Sequence, residues 1–128
     1  MSVKEQVHSK FKLFSGALGA GASLGALAGE VEAFAKSAKA APKSIGVEYL
    51  EHEKLLVVSL GYRDDEAPYP IKLHALPLGA VKGFGKAELA GLERKMGDAA
   101  AKIAGIICHE VFVTDQNEFV MVVMSHAG

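Results

Sequence analysis

Few residues in this 128-residue chain are of types that do chemistry, and the closest pair is Cys108-His109. A thiol and an imidazole sharing one face would be a nucleophile with its base. The surrounding residues read as a strand, however, and neighbours on a strand point to opposite faces, so these two form no dyad. In its apolar run Cys108 reads as a small buried hydrophobe. His109 and His126 fall as diagonal neighbours on one face of a hairpin and are weak candidates for a metal pair. Two imidazoles fall short of a closed site, and the sequence does not place His74 as a third ligand. Asp64-Asp65-Glu66 is an acidic run without the alternate spacing and glycine of a calcium loop, and reads as a solvated turn. The glycines Gly79, Gly83 and Gly85 ahead of Lys86 lack the spacing of a phosphate loop. No catalytic residue and no cofactor is assigned, and the chain reads as non-enzymatic.

The elements that carry these residues follow from periodicity. Ile45, Val47 and Tyr49 alternate, turn through Glu51–Lys54, and return as Leu55 to Tyr62. Pairing Leu50 with Leu55, Tyr49 with Leu56 and Val47 with Val58 puts Ile45, Val47, Tyr49, Leu56, Val58, Leu60 and Tyr62 on one core face. Ile71 to Leu76 reads as a third strand. Residues 86–104 read as a helix with Leu89, Leu92, Met96, Ala99 or Ala100, and Ile103 as its buried stripe, stopped by Gly105. A second hairpin, 106–114 and 119–126, is expected to turn on Gln116-Asn117, pairing Phe112 with Met121 and Cys108 with Ser125. Both its faces are apolar, so it demands cover on both sides, one of them from the N-terminal arm or a second subunit.

The arm itself is Gly/Ala-rich. Val3, Val7, Phe11, Phe14 and Leu18 follow helical spacing, and Gly21, Gly25 and Gly29 continue that line as a groove for close approach. Leu24, Leu27, Val31, Phe34 and Ala38 make a second stripe on another side, with a break expected at Gly19–Gly21. Pro42 ends the helical region. The division is therefore a helical arm, 1–41, and an α+β domain, 42–128. The expected architecture is a two-layer, mainly antiparallel five-stranded sheet in the order α-β-β-β-α-β-β.

Function is bounded by charge and composition. Residues 1–43 carry six Lys against three Glu, and the remainder eight basic against twelve acidic groups, for a net charge of −1. With two arginines and no basic cluster, nucleic acid is disfavoured as a partner. One cysteine permits no internal disulfide and fits the cytoplasm. The run 13–29 is glycine-rich and short, a poor signal peptide and a poor membrane span. No residue-level family motif is present, but the order helix, three strands, helix, two strands resembles that of secretion-chaperone-like domains. That resemblance implies a small partner-binding dimer. The leading expectation is a non-catalytic protein-binding module, adaptor or chaperone-like, that self-associates. Its contact residues are expected to be Phe11, Phe14, Leu18, Gly21, Gly25, Gly29, Phe112 and Met121. The alternative is attachment to a membrane or granule surface through residues 3–29, with Lys4, Lys10 and Lys12 at the headgroups. A metal protein or enzyme using His109 and His126 is third.

Overall fold

A computed structural model of the chain describes residues 9–17 and 24–127. These form strands β1 (Ser9–Ala17), β2 (Ala41–Leu50), β3 (Leu55–Arg63), β4 (Ile71–Ala80), β5 (Ile106–Val113) and β6 (Glu118–His126). The helices are α1 (Leu24–Ser37) and α2 (Lys86–Ala100). The class is α+β, but the strands make two three-stranded antiparallel sheets, β1-β3-β2 and β4-β6-β5, in place of one five-stranded sheet.

The cause of that difference lies in the arm. Residues 9–17 form a strand where a helix was expected. β3 has β2 on one side, and its other edge needs a partner for its backbone groups; β1 supplies it, from Ser9 opposite Arg63 to Ala17 opposite Leu55. With both edges of β3 used, no place beside it is left for β4, which pairs with β6 in a second sheet. The helical spacing of Phe11 and Phe14 is overridden by tertiary pairing. The leading strand also breaks the element order that resembled secretion-chaperone-like domains.

The first hairpin matches its expected pairing throughout: Leu50 faces Leu55, Tyr49 faces Leu56 and Val47 faces Val58. The second is shifted by one residue. Phe112 faces Val120 and Cys108 faces Met124, against the expected Met121 and Ser125. The turn decides this. The Thr114 N–H donates to the Glu118 carbonyl, the Thr114 hydroxyl accepts from the Gln116 and Glu118 N–H groups, and Asn117 takes a left-handed conformation (φ 58°). Three residues, 115–117, therefore form the loop, and an odd loop moves every pair by one.

One hydrophobic core lies between the sheets. Leu56, Val58 and Leu60 of the first sheet meet Val120, Val122 and Met124 of the second, with Leu27, Val31 and Ala35 of α1 inserted between them. Phe34 packs edge-on against both Phe14 (5.8 Å) and Tyr62 (5.3 Å). α1 also closes the free side of β4, where the Leu73 N–H donates to the Glu32 carboxylate at 2.8 Å. The 1–41 segment and the 42–128 segment thus share this core. Val31, fully buried, contributes about 1.5–3 kcal/mol of burial by itself.

The opposite face of β6 carries Phe119, Met121 and Val123, all buried. α2 packs on β4 and buries Leu92; of the described elements it is the one placed to cover this face. The other face of the second hairpin packs on α1, so the cover expected from the N-terminal arm or a second subunit comes from the arm. α2 ends at Ala100, short of the expected Ala104, and Leu89 is 43% exposed instead of lying on the buried stripe.

The two halves share one plan. β1-α1-β2-β3 and β4-α2-β5-β6 are each a βαββ unit whose last strand is central, and whose hairpin ends on a left-handed residue, Lys54 or Asn117. The sequence shows only a trace of this repeat, Leu27-Ala28-Gly29 against Leu89-Ala90-Gly91.

Candidate protein-docking face

Strand alternation assigns the outer face of the first sheet. Cross-strand partners share a face, so Phe11, Gly61 and Ser44 form one row, Leu13, Ser59 and Gly46 the next, and Ser15, Val57 and Glu48 a third. Phe11 is 72% exposed and Leu13 is 67% exposed. Beside them the surface is flat. A Cβ added at Gly61 would meet the Ser44 hydroxyl at 2.4 Å and the Phe11 ring at 3.5 Å, and one at Gly46 would meet the Ser59 hydroxyl at 2.7 Å. Two large apolar side chains thus stand over a floor of glycine and serine, and no described helix covers them.

The equivalent face in the second half is occupied. Its rows are Leu73-Met124-Cys108, Ala75-Val122-Glu110 and Pro77-Val120-Phe112, and this is the face on which α1 lies. Position for position, Phe11 and Leu13 stand where Leu73 and Ala75 receive α1. β1 also presents an outer edge that pairs with no described strand.

The arm's lysines are held within the chain. Lys10 pairs with Asp64 at 3.5 Å, and the Lys12 ammonium lies 5.6 Å from the Phe34 ring centre on the inner face. Of the other expected contact residues, Phe14 and Phe112 are in the core and Met121 is buried on the opposite side of β6. Gly25 and Gly29 are exposed on α1, and a Cβ at Gly29 would meet nothing within 4 Å. Leu18 and Gly21 lie outside the described residues. The structure brings together only Phe11 and its neighbour Leu13, which the helical reading left aside because it counts every third or fourth residue.

The chemical candidates separate. The shifted register puts His109, opposite Val123, and His126, opposite Ile71, on opposite faces of the second sheet, so they cannot share an ion. Among the described residues no group of three His, Cys, Asp or Glu could hold a metal. His74 Nε2 is 3.0 Å from the Ser125 hydroxyl, and His126 stacks at 4.6 Å on Tyr69. Burial pushes the Cys108 thiol above its ordinary pKa; a backbone hydrogen bond from Ile45 opposes the shift and Glu110 adds to it. A thiol so placed is a poor nucleophile. Asp64-Asp65-Glu66 is a solvated turn in which Arg63 chelates Asp65 at 2.7 and 2.9 Å.

No family model, no curated protein and no solved structure matches this chain. Among the described residues no helix is long and apolar enough to cross a membrane.

Proposed function

We propose that the protein is a small non-catalytic protein-binding module, and that its docking surface is the outer face of β1 and β3 around Phe11 and Leu13. The observation that carries this is their exposure, 72% and 67%, on a face whose counterpart in the second half receives a helix. Large exposed apolar side chains grouped on a flat surface mark interfaces. The occupant that fits is an amphipathic helix laid across Phe11 and Leu13, repeating the α1 arrangement, from a partner protein or a second copy. Membrane attachment is less well supported, because Lys10 and Lys12 are engaged by Asp64 and Phe34.

Photocrosslinking tests the proposal. A benzophenone side chain at position 11 or 13, introduced in the cells that make the protein, is expected to give one discrete adduct, with none from position 94 on α2. Equal labelling at all three positions, or no adduct at any, overturns it. Sedimentation of the purified chain separates the occupants: a dimer dispersed by Phe11→Ser with Leu13→Ser identifies a second copy.

A further inference from the structure

At the end of the molecule where both hairpin turns meet, the two sheets and the start of α1 line an open cleft of about 900 Å³. We infer that it is a binding site for a small amphiphile, an apolar body carrying a cationic amine head. Its inner walls are Ala28, Leu73, Ala75, Phe112 and Val120, with no charged group among them. Its size falls within the range of small-molecule sites. Among the described residues, four charged side chains stand at its mouth: Glu53, Lys54, Asp115 and Glu118. Lys54 and Asp115 neutralise each other in an ion pair. The Glu53 and Glu118 carboxylates have no cationic partner among the described residues. The start of α1, which also lines the cleft, offers about half a positive charge. Among the described residues these two carboxylates outweigh it, so the mouth is negative and selects an ammonium over a carboxylate. The site is separate from the outer face of β1, and it stands or falls apart from the docking proposal.

Octylamine, octanol and octanoate share one apolar chain and differ in head charge. Each is titrated into the full chain at fixed ionic strength, with backbone amide shifts recorded by NMR. Octylamine is expected to bind at least several-fold more tightly than octanol, and octanoate most weakly, with shifts at Ala28, Ala75 and Val120. Glu53→Gln with Glu118→Gln should erase the amine's advantage and leave octanol binding unchanged. Ala75→Phe, or Ala28→Leu if the first variant does not fold, should abolish binding of all three. Equal affinity for the three heads, tighter octanoate binding, no binding, or shifts confined to the Phe11 face would each overturn the inference.

Discussion

Lys54 and Asp115, 61 residues apart in sequence, join the turn of the first hairpin to the turn of the second through an ion pair. The same two strand pairs touch again where the Tyr49 and Phe112 rings meet at 6.5 Å. The pair holds Asp115 below the ordinary carboxylate range, chiefly through the hydrogen bond from Lys54, and raises Lys54 in turn. A lowered carboxylate contributes stability above the ordinary carboxylate pKa and loses it as pH falls through the lowered value. Asp115→Asn should therefore lower Tm slightly at pH 7, and the gap from wild type should close in acid, as the pH falls below the ordinary carboxylate range. Thermal melts of both proteins across that range check it; a gap that persists in acid would mean the substitution acts through something other than the ion pair.

The first 41 residues are expected to be indispensable for folding. A chain beginning at Pro42 lacks Phe14, Leu27, Val31 and Ala35 from the core and leaves one edge of β3 unpaired. It should lose cooperative unfolding. Val31→Ala in the full chain is the graded form of the same test, with an expected cost of about 1–3 kcal/mol in urea denaturation. A well-folded truncation would show that the segment is a separable arm.

Gly29 sits exposed in α1 with open space around its missing side chain. Gly29→Ala should stabilise the chain by about 0.5–1 kcal/mol, because alanine loses less backbone freedom in a helix. Self-association should not change. Weaker association with unaltered stability would restore the reading of Gly25 and Gly29 as a contact groove.

Cys108 should alkylate slowly. Burial raises its pKa and so reduces the thiolate present at neutral pH. Iodoacetamide at pH 8 is expected to react several-fold more slowly with the native chain than with the same chain in urea. Equal rates would place the thiol in solvent.

How much of this was legible in the sequence depended on the range of the interaction. The first hairpin could be read to the residue, because alternation over Ile45 to Tyr62 leaves one register that buries a single face. Leu92 of α2 and the inner stripe of α1 were legible for a similar reason: 3.6-residue periodicity is a local property. The shift in the second hairpin turned on one threonine hydroxyl and one left-handed asparagine, which periodicity does not report. Residues 9–17 were decided further away still, by the edge of β3, whose residues 55–63 lie well downstream in the chain. Phe11 and Phe14 satisfy helical spacing as easily as a strand with one residue out and the other in. Once that edge was taken, the division into two sheets followed, and with it the exposure of Phe11 and Leu13 and the cleft between the sheets, while the turn at Thr114 and Asn117 separated His109 from His126. Apolar pattern determined which segments would pair and bury; which edges remained free to pair was decided only by the assembled chain, because a backbone hydrogen bond carries no mark of its partner in the sequence.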